Sequence, residues 1–395
     1  MKYDFDQPVN RLNTASLKWD GAYVFLGEQA KGALPMWVAD MDFRSPQEVI
    51  DELKKRVEHG IFGYPMCTQS YYDAVIGWMK RRFNWTIKQE NIHYAPGIIP
   101  ALNYLVQVFT EEGDCIAIQS PVYYPFTNSI VNNNRRVVLN CLKFEDGRYT
   151  MDYEDLEQKL STNKVKLLIL CSPHNPVGRV WSKEELTKLG EICFKHGVLV
   201  VSDEIHADLT LKGVRNTAFA SISEEFAQNA IVCTAASKTF NLAGLQTANI
   251  IIPNKELGLK YNNYMKKLHL LKPNIFGQMA TEVAYNYGAE WLEQLKDYLQ
   301  GNLEYLTSYI DSNINKIKVI KPEGTYLVWL DCRELNMKGE ELKAFMLQNA
   351  KVALDDGYLF GPGGEYFTRM NIGCNRKTLK EALMRIEWAV NHYRR

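Results

Sequence analysis

Charge of one sign is what this chain most obviously lacks. Its 46 Lys and Arg balance 46 Asp and Glu, so the formal net charge is zero. That removes any global electrostatic case for nucleic acid or an anionic membrane as partner. Paired cysteines are missing too: the eight cysteines are scattered singly, with no Cys-x-x-Cys. Cys115, Cys171, Cys193 and Cys233 lie inside apolar runs, which reads as buried reduced thiols in a cytoplasmic protein. The seven histidines show no paired helical spacing, and Asp40-Met41-Asp42 lacks companion ligands, which argues against a metal centre. No apolar run approaches the roughly 20 residues of a membrane span. The stretch Met1-Lys2-Tyr3-Asp4-Phe5-Asp6 has no apolar core of the kind a signal peptide carries.

What is present is an ordinary globular composition, 46% hydrophobic and 23% charged, over 395 residues. That length suits two or three lobes around one cleft. Short apolar runs at Cys115-Ile116-Ala117-Ile118, Leu167-Leu168-Ile169-Leu170, Val198-Leu199-Val200-Val201 and Ala230-Ile231-Val232 read as buried strands, with one more at Ala248–Pro253. Between two of them Ser182 and Glu185 form a capping box that starts a helix, which runs to about His196-Gly197. Strand, helix and strand in succession imply right-handed crossovers and a mostly parallel sheet, an α/β fold. After about residue 275 the pattern changes to a long helical stretch, roughly Gly277 to Asn313, then a strand at Tyr326–Leu330 and helices near 339–350 and 376–393. We read residues 46–275 as a large domain and 276–395 as a smaller α+β domain. The first 45 residues pack with the small domain or with a partner subunit.

The chemistry gathers at the ends of the strands. Ser172-Pro173-His174-Asn175-Pro176-Val177-Gly178, Val200-Val201-Ser202-Asp203-Glu204 and Ala235-Ala236-Ser237-Lys238-Thr239-Phe240-Asn241 each follow an apolar run. An Asn-Pro loop, an Asp and then a Lys, in that order, match what pyridoxal phosphate requires. The lysine forms a Schiff base with the cofactor aldehyde. Asp203 keeps the pyridine nitrogen protonated, and Asn175 donates to the phenolic oxygen. The phosphate needs an anion site, and the loop Ala95-Pro96-Gly97 opens a helix whose Ile98 and Ile99 amides, with the Ser237 hydroxyl, could supply it. In Tyr123-Tyr124-Pro125-Phe126 the Tyr123 ring is our choice for the pyridine face. Gly361-Pro362-Gly363-Gly364 reads as a flexible loop near the cleft rather than a phosphate cradle. Arg369, in the alternating stretch Phe367–Gly373, could present a guanidinium to a substrate carboxylate.

In this order, and over nearly the whole chain, these motifs resemble fold-type I pyridoxal-phosphate enzymes of the class I/II aminotransferase superfamily. Pro35-Met36-Trp37-Val38-Ala39-Asp40-Met41-Asp42-Phe43, Asp203-Glu204-Ile205-His206 and Ser237–Gln246 narrow the resemblance to MalY/PatB-type cystathionine β-lyases. The resemblance implies a mostly parallel seven-stranded sheet and a homodimer with active sites at the interface. Tyr64, in Phe62-Gly63-Tyr64-Pro65, would reach the partner subunit's phosphate, and His206 would join the cofactor-binding residues. Trp37 and Ala39 would border the substrate carboxylate, with Asn175 and Arg369 binding it. Many aminotransferases carry Tyr and Arg where this chain has His206 and Gln246, and Ala235 stands where a phosphate-binding serine is common. Those departures suit the lyase subgroup, and they leave Thr234 or backbone amides as substitute phosphate donors.

The expected reaction is therefore a carbon–sulfur β-elimination on cystathionine, cystine or another cysteine S-conjugate, with Lys238 as the base. An aminotransferase with the same cofactor is the first alternative. A regulatory protein that binds a transcription factor on the old enzyme scaffold is the second.

Overall fold

The computed structural model describes residues 2–393. Seven strands form the central sheet: β1 (Ile92–Ala95), β2 (Cys115–Ser120), β3 (Arg136–Cys141), β4 (Val165–Cys171), β5 (Leu199–Asp203), β6 (Ala230–Thr234) and β7 (Ala248–Ile251). Their spatial order is β1-β7-β6-β5-β4-β2-β3, and only β7 runs antiparallel to its neighbours. The sheet is thus the mixed, mostly parallel one expected of the fold type.

Alternation along β4 shows how the sheet is held. Leu167, Ile169 and Cys171 enter an apolar cluster with Leu102, Leu105 and Val106 of the helix Ile98–Phe109. Leu168 and Leu170 point the other way, into a larger cluster that takes in Leu186, Leu189 and Cys193 of the helix Lys183–Lys195. A strand buried on both faces needs apolar residues at every position, hence the unbroken runs in the sequence. The helix Lys183–Lys195 carries the capping box: Ser182 Oγ accepts from the Glu185 amide (3.2 Å), and Glu185 accepts from the Ser182 amide (2.8 Å).

A second, antiparallel sheet follows: β8 (Lys318–Ile320), β9 (Leu327–Asp331), β10 (Asp355–Asp356) and β11 (Phe367–Asn371), ordered β8-β9-β11-β10. Its register sets Trp329 and Asp355 on either side of Arg369. The helical stretch ahead of it differs from expectation. It is two helices, Ile275–Tyr287 and Ala289–Asn313, broken at Gly288. A Cβ at 288 would lie 2.5 Å from a Phe240 ring carbon, so the Phe240 ring fills the space that any larger residue there would need.

Between the two sheets runs a strap, residues 36–43, with no regular secondary structure. Leu34 and Pro35, just before it, pair in parallel with Val352 and Ala353. Backbone without a ladder must find its partners elsewhere. Asn371 Nδ2 donates to the Val38 and Asp40 carbonyls (both 2.6 Å) from the small sheet. Asn241 answers from the other side, donating to the Met41 (2.8 Å) and Phe43 (2.9 Å) carbonyls and accepting from the Met41 amide (3.0 Å). Charge fixes the same strap. Arg11 grips Asp40 with both terminal nitrogens (2.8 and 2.7 Å), and the buried Asp42 accepts from Lys18 Nζ (2.8 Å), Trp19 Nε1 (2.9 Å) and Arg11 (2.8 Å).

Burial pushes the Asp42 carboxyl up, but Lys18, Trp19 and Arg11 outweigh it and hold the group below its usual value. A depressed carboxyl pKa adds stability above the unfolded pKa, and that stability is lost as pH falls through the folded one. Asp42→Ala strands the fully buried Lys18 ammonium and is expected to cost about 3–5 kcal/mol in urea unfolding at pH 7. Repeating the titration below pH 3 should shrink the gap between wild type and variant.

Candidate active site

Three parallel strands deliver their chemistry at one level. Cys171, Asp203 and Cys233 are register partners across β4, β5 and β6. Asp203 is thus the last residue of its strand, Asn175 lies four residues past the end of β4, and Lys238 follows β6 in a short helix, Ala236–Thr239. Carboxyl ends of parallel strands are where open α/β sheets bind ligands. The Asn175 loop is pinned by its own strand: the Asn175 amide donates to Cys171 Sγ (3.4 Å), and the Asn175 carbonyl accepts from the Tyr123 amide (3.1 Å).

The strap supplies the opposite wall. Lys238 Nζ donates to the Ala39 carbonyl (2.6 Å), which also accepts from the Tyr326 hydroxyl (2.9 Å). Arg369, 1% exposed, donates from Nη1 to Asn175 Oδ1 (2.9 Å) and from Nη2 to the Trp37 carbonyl (3.0 Å). Its Nη2 also pairs with the buried Asp355. The guanidinium lies over the Phe360 ring, 5.0 Å from its centroid. Trp37 is itself tied down, donating from Nε1 to the Lys18 carbonyl (3.0 Å).

The helix Ile98–Phe109 starts after Gly97, which has no side chain to cap its first amides. Ser237 is half-buried beside Lys238. Thr234 turns its hydroxyl to the Asn249 carbonyl (3.5 Å), and Gln246 takes a left-handed conformation (φ 48°) with its carbonyl accepting from Tyr94 (3.3 Å). The glycine loop at 361–364 packs on β2: Ser120 Oγ donates to the Pro362 carbonyl (3.0 Å), and a Cβ on Gly361 (φ +99°) would lie 2.7 Å from Ser120 Oγ.

Burial dominates the electrostatics. It raises Asp203 to about 7 against the pull of the Ile205 amide and Lys238. It lowers Lys238 to about 8, a shift that Asp40 and Asp203 oppose and Arg369 assists. His206 falls to about 3, through burial and the nearby Lys238 and Arg369 charges, so its ring is neutral. Glu204 rises to about 8 but is satisfied, accepting from the Phe219 amide (2.8 Å) and Ser202 Oγ (3.0 Å). A lysine near 8 is partly free amine at neutral pH, as a nucleophile or proton acceptor must be.

Several buried polar groups lack partners among the described residues. Among the described residues, His206 Nδ1, Ser172 Oγ and Arg369 Nε make no hydrogen bond, and Asp203 has no ion pair. A buried carboxylate without a cation is costly. These groups fit pyridoxal phosphate: a pyridinium N–H suits Asp203, and an anion suits the uncapped helix start.

Of the residues proposed from the sequence, the structure brings Lys238, Asp203, Asn175, His206, Tyr123, Arg369, Trp37 and Ala39 into this one cluster. Ser237 neighbours Lys238 in the same short helix, and Ile98 and Ile99 open the helix that follows β1. Tyr64 stands apart, fully exposed on the loop after the helix Gln47–His59. Sequence reasoning missed Asp355, Tyr326, Asn241, Asn371 and Cys171, whose partners lie far away in the chain or are backbone atoms. Cys141 departs from the buried-thiol expectation and is exposed at the end of β3.

Comparison with known proteins places this arrangement. The pattern of aminotransferase classes I and II matches residues 35–386. Cystathionine beta-lyase PatB of Bacillus subtilis (strain 168) is 46% identical over 388 residues, 98% of this chain and 100% of that protein. Cystalysin from Treponema denticola, a structure containing pyridoxal 5'-phosphate, superposes with a TM-score of 0.95 at 38% identity, covering 99% of each chain. A PLP-bound C–S lyase from Staphylococcus hominis gives a TM-score of 0.93 at 33% identity, covering 99% of this chain and 98% of that one. The chain belongs to the class I and II aminotransferase family, whose cofactor is pyridoxal phosphate.

Asp203 yields a two-sided prediction. Its raised pKa means that its contribution to folding is complete below the unfolded value, 3.8, and is lost as pH rises through about 7. At pH 8, cofactor-free Asp203→Asn should therefore melt above the cofactor-free wild type. The same variant should release pyridoxal phosphate more readily, read by absorbance after dialysis.

Proposed function

We propose that this member of the class I and II aminotransferase family is a carbon–sulfur β-lyase that cleaves L-cystathionine or a related cysteine S-conjugate to pyruvate, ammonia and a thiol. One observation carries the reading: a lysine brought to about 8 faces the same strap as an arginine suited to a carboxylate.

Bound pyridoxal phosphate supplies a carbonyl for the substrate amine and a ring that accepts the electron pair left at Cα. The chain does the rest. Arg369 and Asn175 orient the α-carboxylate, with Trp37 and Ala39 at its border. Lys238, as free amine, takes the Cα proton, and the Ala39 carbonyl (2.6 Å) aims its nitrogen. Positioned general-base catalysis of this kind contributes about 10²–10⁴-fold. Asp203 would hold the proton on the pyridine nitrogen, and the Tyr123 ring would lie against the pyridine face. His206 stays neutral and adds no charge that would compete with Lys238. Ile98, Ile99 and Ser237 would receive the phosphate. The Cβ–S bond then breaks with its electron pair on sulfur, a good leaving group because thiols are acidic. Water hydrolyses the released enamine to pyruvate and ammonia.

We further infer that two copies of the chain share their sites. Ile61, Phe62, Tyr64 and Met66 form an exposed apolar stretch of one loop, and a second copy covering it would bring Tyr64 to the other subunit's phosphate. Among the described residues no helix is long and apolar enough to cross a membrane.

Incubation with L-cystathionine should release pyruvate and homocysteine in equal, steady amounts, and Lys238→Ala should abolish both. Loss of the cofactor's absorption band that a keto acid restores, without pyruvate, would move the assignment to aminotransferase. Lys238→Ala and Tyr64→Ala proteins, each impaired alone, should recover activity when unfolded and refolded together. No recovery would count against shared sites.

A further inference from the structure

Arg369 is more committed than a free carboxylate anchor would be. A guanidinium carries five N–H donors, one on Nε and two on each terminal nitrogen. Nη1 donates to Asn175 Oδ1 (2.9 Å), and Nη2 donates both to the Trp37 carbonyl (3.0 Å) and to Asp355. Two hydrogens remain, one on Nε, which has no partner among the described residues, and one on Nη1. They lie on different edges. A two-pronged grip on a carboxylate uses either Nη1 with Nη2 or Nε with Nη2. Both choices require Nη2, and both of its hydrogens are taken.

An arriving α-carboxylate must therefore displace one of the two acceptors. The Trp37 carbonyl belongs to the strap, whose neighbouring carbonyls are held by Asn371 and whose Trp37 ring is tied to Lys18. Asp355 is a side chain on β10, directly opposite Arg369 in register, and carries the same charge as the incoming group. Burial raises its carboxyl and the pull of Arg369 opposes that rise, so its charged form depends on this one arginine.

We propose that Asp355 is a positioning residue that occupies the carboxylate site in the resting protein and exchanges with the substrate's α-carboxylate on Arg369. It keeps a buried cation paired while no substrate is bound, and it sets how tightly the α-carboxylate is held. The exchange rests on the reading of Arg369 as the substrate anchor.

Asp355→Asn keeps the shape and a neutral acceptor but removes the competing charge. Charge-assisted hydrogen bonds are roughly twice as strong as neutral ones, so the KM for L-cystathionine should fall about tenfold with kcat little changed. An independent reading uses 3-(methylthio)propanoate, a carboxylate with no amino group to engage Lys238 or the cofactor. It should raise the melting temperature of holo Asp355→Asn more than that of the wild type, because it pairs an otherwise uncompensated Arg369. Asp355→Ser should behave in the same direction, and it serves if the Asn variant does not fold. A KM that rises or stays put, with no larger thermal shift, overturns the proposal. A wild type that does not cleave cystathionine, while Asp355→Asn gains in thermal shift, overturns the reaction and supports the exchange. Cleavage with no gain in either readout does the reverse.

Discussion

Everything at the site depends on a strap of backbone that has no secondary structure of its own. Residues 36–43 lie between the two sheets, and their carbonyls face both ways. Two of those carbonyls, of Trp37 and Ala39, receive Arg369 and Lys238. A buried carbonyl accepts a hydrogen bond in a fixed direction, so the strap sets where both cationic side chains point. The strap is held in turn by two asparagines, Asn241 from the Lys238 turn and Asn371 from β11. Lys238 and Asn241 share one turn, and Arg369 and Asn371 share one strand. Each half of the site thus carries its own clamp on the common strap, and the distance between base and anchor follows from both.

Charge placement reinforces that geometry. Asp40 and Asp42 draw Arg11 and Lys18 onto the strap from the N-terminal segment. Buried ions of this sort contribute specificity of position more than net stability, since desolvation offsets much of their attraction. Asp203 and Asp355 are the contrasting pair. Burial raises both carboxyls, but Asp355 has Arg369 as its counter-ion, whereas among the described residues Asp203 has no ion pair. The carboxylate without an ion pair is the one assigned to the cofactor, and the carboxylate with one sits where the substrate is expected.

The sequence made the strand-borne chemistry legible. Asp203, Asn175 and Lys238 each follow an unbroken apolar run, and such runs mark central strands whose ends face ligands. Ser182 and Glu185 announced their helix because a capping box is a local pattern. The alternating stretch around Arg369 hinted at a strand-borne guanidinium, but its place rested mainly on family resemblance, and its resident partner Asp355 could not be placed at all. Asp355 meets it across a register of two short strands that no spacing rule foretells. Asn241 and Asn371 escaped for a related reason: they bond to backbone about 200 and 330 residues away. Any residue can offer that backbone, so the strap partner leaves no trace in side-chain identity. Gly288 misled in the other direction, because helical periodicity continues on both sides of the break, and the close Phe240 ring that requires glycine there comes from another part of the chain.

Amide hydrogen exchange across residues 36–43 in Asn371→Ala tests the strap directly. The account requires faster exchange at the strap amides, with protection in β4, β5 and β6 unchanged. Strap protection equal to wild type would contradict it, because Lys238 and Arg369 would then owe their aim to something other than the doubly clamped backbone.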